Sequence, residues 1–434
     1  MIVVGGGFSG VAVADALLGA GHRVVLVERG GSLGGRSASA SLGAGLVTMG
    51  GKNIGRRYQR FREFAARHGV RSWEPFGINT TRVDGNVART LDSEHPLRGY
   101  MRFARGLAPA DMLRFARMCV ALRRDPERRF LDGDPADAKS PVTLTETFGT
   151  TFCARVARPM TVRMNGAEPD EIRLATFPAN LGMLLDTFDQ PAEGMHPLLE
   201  RFAARLPVYL DTTVERLLSD EHGVAGVSVR HGDGRREELH GSGVVLALPA
   251  DAAAVLVQSL TPSLAATLRG VRYFPAAVVV AAYEQPIFSA QQRAFLFDAQ
   301  HPLSNAGAYS ALDRRVVRYT FSGRSARELL SGHPDPASLL QVGERLLAPH
   351  TLRPPSNAVH FVARGWDSAY CAYSPDQSAL LRAVRSAPAG LHLTGDYVAG
   401  VSIEACFRAG QQCAARALSK PVPPSPHSIA AARV

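Results

Sequence analysis

Three glycines near the start of the chain stand in a pattern able to hold a phosphate. In "IVVGGGFSGVAVADALL", Gly5, Gly7 and Gly10 have the spacing G-x-G-x-x-G. Ile2 to Val4 ahead of them are apolar and β-branched, as a buried strand is. Val11 to Leu18 behind them are mostly small and apolar, which predicts a buried helix, with Gly21 as its stop. In that setting each glycine has its own duty. Gly5 permits a tight turn, Gly7 lets the backbone approach a pyrophosphate, and Gly10 lets the helix pack close on the strand. The free N–H groups at the helix N-terminus then face the phosphates. A second strand over Arg23 to Val27 ends at Glu28, the place for an acid that accepts hydrogen bonds from a ribose diol. Together these residues predict a dinucleotide site.

Other groups could do chemistry beside it. Gly395 and Asp396 follow a strand over Leu391 to Leu393, and Ser402 can cap a helix running from Ile403 to Leu418. In "VARGWDSAYCAYSPDQ", residues 362 to 377, Trp366, Tyr370 and Tyr373 offer rings that could lie against a flat ligand. Ordinary packing explains Trp366 and Tyr373 equally well. Lys52, in "VTMGGKNIGRRY", is one of three lysines in an arginine-dominated chain. Where arginine would serve for plain charge, a retained lysine points to a compact, titratable head group. Lys52 could stabilise a reduced anionic cofactor, bind a substrate carboxylate or position water. The alternative is an exposed or phosphate-binding loop lysine. Titratable and aromatic groups of this kind are the candidates for catalysis.

The segment after Glu28, "ERGGSLGGRS", places Gly34, Gly35 and Arg36 a short loop beyond the acid. This resembles the G-G-R signature of the flavoprotein superfamily of amine oxidases, protoporphyrinogen oxidases and phytoene desaturases. Further motifs follow in the family's order: the helix and strands of "GMHPLLERFAARLPVYLDTTVERLL", the strand "GVVLALP", and the Gly395–Asp396 segment. The resemblance implies an α/β fold: a Rossmann-like FAD-binding domain of the glutathione-reductase type, amine oxidase-like, with an inserted α+β substrate domain. The FAD domain is expected from residues 1–80, 191–258 and 376–418, the substrate domain from 81–190 and 259–375, and a disordered tail from 419–434. Within it, Arg36 would offset phosphate charge and the Val214 backbone would meet the adenine. Asp396 would bind the ribityl or pyrophosphate side of FAD, and the Ser402–Ile403 helix start would point at the flavin pyrimidine.

Three positions depart from the monoamine oxidases of that family. The position of their flavin-attaching cysteine holds Ala369, with Cys371 two residues off, so FAD is expected to be non-covalent. Ser402 stands where they have a cage tyrosine, and Val278 where they have a lysine near the flavin. The implied function is an FAD-dependent oxidoreductase in a biosynthetic pathway. It would move a hydride from a small organic substrate to flavin N5, leaving C=C or C=N, with O2 or another acceptor reoxidising the flavin. An amine or amino-acid oxidase with a rebuilt site is the first alternative. A non-redox FAD-dependent isomerase or mutase is the second.

Composition bounds the rest. A length of 434 residues calls for two domains. The 46% hydrophobic and 20% charged content is ordinary for a soluble protein. No run of 18 apolar residues spans a membrane, and Met1 leads straight into a strand with no room for a signal peptide, so a cytoplasmic location is expected. The five cysteines form no C-x-x-C pair, so neither a disulfide framework nor a metal site is expected. The net charge of +10 comes from arginine, the mark of a GC-rich coding bias, and no nucleic-acid motif accompanies it. Residues 98–124 place Met, Phe and Leu at helical spacing among arginines. A core-facing helix pair with a basic outer face is expected there, an apolar surface for a lipophilic substrate or a membrane being the alternative. Assembly is open, a homodimer among the options.

Overall fold

The computed structural model describes residues 1–76, 80–84, 87–90, 106–133, 141–289, 292–310, 313–374 and 376–419. One half is built on a five-stranded parallel sheet. Its strand order is Val208–Tyr209, Val25–Val27, Ile2–Val4, Val244–Leu246, Leu391–Leu393. Each is a short apolar run, as a parallel sheet covered on both faces requires. Ile2 pairs with Val25 on one side and Val244 on the other. On one face lie the helices Phe8–Gly19 and Ile403–Ser419. They meet at backbone distance, because a Cβ on Gly410 would come within 2.6 Å of the Ser9 carbonyl oxygen. Phe61, Phe64, Phe202 and Phe407 fill the space beside them, with Phe61 and Phe407 edge to face at 5.3 Å. The other face carries the antiparallel strands Thr212–Asp220, Gly223–His231 and Arg236–His240, with Asp233–Gly234 at the second turn. The helix Ala250–Val257 packs there too.

The other half is a seven-stranded sheet. Its order is His360–Tyr373, Arg272–Ala282, Val316–Phe321, Leu303–Ala308, Ala294–Leu296, Thr80–Asp84, Val87–Thr90. Alternation along Arg272–Ala282 divides its two faces. Ala277, Val279 and Ala281, with Tyr319 and Phe321 opposite, bury against the helices Arg324–Ser331 and Pro336–Leu347. Val278 and Val280 point the other way, toward Trp366 and the hairpin Ser39–Leu42/Gly45–Thr48 of the first half. The hairpin packs on that second face, and the halves meet there.

Expectation and structure differ in places. The 81–190 segment, expected in the substrate domain, contributes the edge hairpin Thr80–Asp84/Val87–Thr90 to the seven-stranded sheet, but its strand Phe188–Pro191 pairs instead with Ile54–Gly55 and Trp73–Pro75. The helix Pro109–Arg124 turns Phe115, Met118, Cys119 and Leu122 onto a cluster with Phe148, Phe152 and Phe177. Only Leu113 and Val120 of its large apolar residues are exposed, which is the core-facing arrangement. The rest of the 98–124 segment, residues 98–105, lies outside the described residues, as does the tail from 420. Among the described residues no helix is long and apolar enough to cross a membrane.

Candidate active site

The opening glycines sit at the carboxyl end of the parallel sheet, between Ile2–Val4 and the helix Phe8–Gly19. Gly5 has φ +104°, and a Cβ there would strike the Ala247 carbonyl oxygen at 2.5 Å. A Cβ on Gly10 would sit 1.9 Å from the Gly5 carbonyl oxygen, so helix and turn touch through backbone. Gly7 is different: nothing lies within 4 Å of the place its Cβ would take. Gly7 also precedes the first helical residue, and no side chain caps that end. The helix therefore offers free N–H donors and positive dipole to an open concavity. The Glu28 carboxylate closes one end, accepting from the Gly6 N–H at 2.6 Å and the Gly30 N–H at 2.7 Å. Gly34 and Gly35 run past on the far side, with Gly35 stacked over Gly7. Val214 lies half-buried on the strand Thr212–Asp220, below the edge of this cradle. Two backbones held too close for side chains, around one glycine left open, fit a dinucleotide.

Where the sequence expects a phosphate counter-charge, the structure pairs Arg36 with Asp396. Arg36 Nη1 donates to Asp396 Oδ2 at 2.7 Å and to the Ala369 carbonyl at 3.0 Å. Tyr273 donates its hydroxyl to Asp396 Oδ1 at 2.8 Å. Asp396 is 3% exposed. Burial opposes the Arg36 charge, but the Asp396 carboxylate wins and holds its pKa above the ordinary arginine value. The pair thus ties the G-G-R loop to the Gly-Asp turn. Gly395 is required by space, since a Cβ would meet the Tyr397 ring at 2.5 Å. Ser402 caps the following helix: its Oγ accepts from the Ala405 N–H at 3.1 Å, and Ile403 begins the helix beside Gly51.

Lys52 does not open into the space between the halves but is buried in its wall. It is 7% exposed, and Nζ donates to Gln190 Oε1 at 2.7 Å and to the Tyr309 carbonyl. The rings of Tyr309 and Phe76 flank it at 4.0 and 4.3 Å. Burial first, then repulsion from Arg318, bring its pKa down to about 7 against the pull of Glu74. Glu74 is itself engaged, accepting from Gln190 Nε2 and Ser310 Oγ.

The strand His360–Tyr373 does not bring its three aromatics to one point. Trp366 lies half-buried beside Met49 and Val278. Tyr370 is half-buried, its ring against Gly166 at the end of the helix Arg158–Asn165. Tyr373 is 2% exposed at φ +67° and packs in the core under the parallel sheet. Cys371 is fully buried, and burial, then Asp396, push its thiol well above the ordinary range. Among the described residues no cluster of ligating side chains could hold a metal.

The sequence reading missed the arginines of this space. Arg318 pairs in register with Val280, on the face that carries Val278 and Trp366. Arg163 comes from the helix Arg158–Asn165. An arginine midway through the apolar strand "VVRYTF" was the available signal.

The chain thus joins an α/β cradle shaped for a dinucleotide to a second, seven-stranded sheet. The family model of flavin containing amine oxidoreductases matches residues 8–418, and the chain belongs to that family. AofH of Mycobacterium tuberculosis, which bears a provisional flavin-containing monoamine oxidase name, is 28% identical over 269 residues. That match covers 57% of this chain, and the chain spans about half of AofH, 56%. Cyclohexylamine oxidase from Brevibacterium oxydans has the same fold, with a TM-score of 0.72 at 20% identity over 95% of this chain and 97% of that one. A CLA-producing fatty acid isomerase from P. acnes shares it at TM-score 0.71 and 13% identity, over 96% and 97%.

Proposed function

We propose that the chain binds FAD non-covalently and oxidises a small organic substrate, leaving a C=C or C=N bond. Gly5, Gly7, Gly10, Glu28, Gly34, Gly35 and Val214 would hold the adenosine and pyrophosphate. Asp396, Ser402 and Ile403 would line the flavin end. The observation that carries this reading is the open position at Gly7 between two closed glycines, at an uncapped helix N-terminus. Bound FAD would supply a hydride acceptor at N5 and pass the electrons to O2 or another acceptor. Non-covalent binding is supported by Ala369, which has no nucleophile, and by the buried, protonated Cys371 thiol.

The residues around the substrate space favour specialised dehydrogenation over plain amine oxidation. Val278 and Ser402 stand where the resembling monoamine oxidases have a lysine and a tyrosine. Lys52 acts as a positioning residue. It holds the Tyr309 carbonyl and Gln190, and through them the wall next to Arg318. Trp366 and Tyr370 exclude water and orient the substrate from the sheet side.

The test is the absorbance spectrum of the purified protein before and after acid precipitation, followed by anaerobic substrate addition. A yellow supernatant and bleaching by substrate support the reading. Flavin left in the pellet overturns non-covalent binding. Turnover without bleaching or acceptor consumption overturns net oxidation and points to isomerisation.

A further inference from the structure

The space between the halves carries cations that the protein itself does not neutralise. Arg163 has no hydrogen-bond or ion-pair partner among the described residues, and its side chain is exposed. Among the described residues Arg318 donates only to the Thr48 carbonyl, at 3.2 Å, and meets no carboxylate. The two are close enough that Arg163 repels Arg318. Lys52 is near enough for Arg318 to repel it. The nearby carboxylate of Glu74 is taken up by Gln190 and Ser310. Asp396 is taken up by Arg36 and Tyr273. Tyr370 stands among Arg163, Arg318 and Arg36; burial outweighs their attraction and keeps its phenol protonated, a hydroxyl donor with no acceptor among the described residues. Arg163 is exposed and Arg318 half-buried, so both guanidinium groups can be reached by an anion that brings the missing charge.

We propose that Arg163, Arg318 and Tyr370 form a carboxylate-binding site, so that the substrate is an organic acid or amino acid held by its carboxylate. This rests on the reading of that space as the substrate site of a flavoenzyme. Guanidinium forks suit planar carboxylates, and two forks from different elements fix both position and orientation. The helix Arg158–Asn165 supplies one and the strand Val316–Phe321 the other. Trp366, half-buried on the same face, would take the uncharged part of the substrate.

Isothermal titration of the purified protein, its flavin content measured beforehand, with benzoate and with the neutral isostere benzamide tests this without turnover. Benzoate should bind at least about tenfold more tightly at pH 7, the difference a charge-assisted hydrogen-bond pair supplies. Arg163→Gln and Arg318→Gln should each remove most of that difference, while Arg163→Lys retains part of it. The wild-type comparison stands even where a variant fails to fold. Equal binding of the two probes overturns the proposal, as does a preference for benzoate that survives both Gln variants. Inorganic sulfate binding more tightly than benzoate overturns the carboxylate assignment in favour of a tetrahedral oxyanion. Protein that holds no flavin yet prefers benzoate sinks the functional reading alone and leaves the site standing.

Discussion

Exchanging Gly7 and Gly10 separately for alanine separates cofactor binding from folding, because the same added methyl group meets open space at one and backbone at the other. At Gly10 the new Cβ would lie 1.9 Å from the Gly5 carbonyl oxygen, a backbone atom that cannot rotate aside. The helix Phe8–Gly19 would have to move off by about 1 Å, and such overpacking costs about 1–3 kcal/mol. At Gly7 nothing lies within 4 Å, and the backbone, at φ −71° and ψ 174°, already suits alanine. The loss of a good N-cap residue and the gain from a stiffer unfolded chain nearly cancel, so the net change is within about 0.5 kcal/mol. The Gly7 methyl instead fills the volume a pyrophosphate needs, and FAD affinity should fall at least about tenfold. Urea unfolding of flavin-stripped protein, with FAD titrated by fluorescence quenching, reads both quantities. A Gly7→Ala protein that binds FAD as the wild type does would refute the cradle. A Gly10→Ala protein of wild-type stability would refute the packing argument.

Lys52→Met should reshape the pH dependence. A lysine whose pKa drops from 10.5 to about 7 on folding binds fewer protons folded than unfolded in that window. Its contribution therefore makes stability rise with pH between 7 and 10, and the methionine variant should lose that rise, as denaturant midpoints at pH 6, 8 and 10 will show. A turnover profile with an inflection near pH 7 that persists in Lys52→Met would exclude Lys52 from catalysis. Asp396→Asn should lower stability by about 1–2 kcal/mol, less than a fully buried broken pair because Arg36 is one-third exposed. An unchanged urea midpoint would show the Arg36–Asp396 link to be idle. Cys371→Ala should still release its flavin on acid precipitation in wild-type amount; a loss of bound flavin specific to this variant would revive a covalent role.

The cradle could be read from the chain because its parts are neighbours in sequence. Gly5 to Gly10 form one turn, and Glu28 ends the very next strand, so local spacing carries the geometry. The Ser402 cap is legible for the same reason, the N–H it accepts from lying three residues away. The partner of Arg36 lies 360 residues off, and no local pattern pairs Arg36 with Asp396 rather than with a phosphate. Arg318 reaches the substrate space only through its register with Val280, and Arg163 through the packing of its helix on Tyr370. Spacing cannot supply either. Tyr373 shows the converse limit: a motif position shared with a family does not say whether the ring faces a ligand or the core. Lys52 was conspicuous by scarcity, yet its enclosure by Tyr309 and Phe76 needs strands far apart in the chain.

The order of strands in the parallel sheet sets a timetable for biogenesis. Ile2–Val4 is flanked by Val25–Val27 and Val244–Leu246, and the sheet closes only with Leu391–Leu393. At about 5–20 residues per second, translation needs roughly 20–80 s between the first of these strands and the last. For that interval the nascent cradle has an unpaired sheet edge and lacks the helix Ile403–Ser419 that covers it. The complete cradle can therefore form only once residues 391–419 have been synthesised.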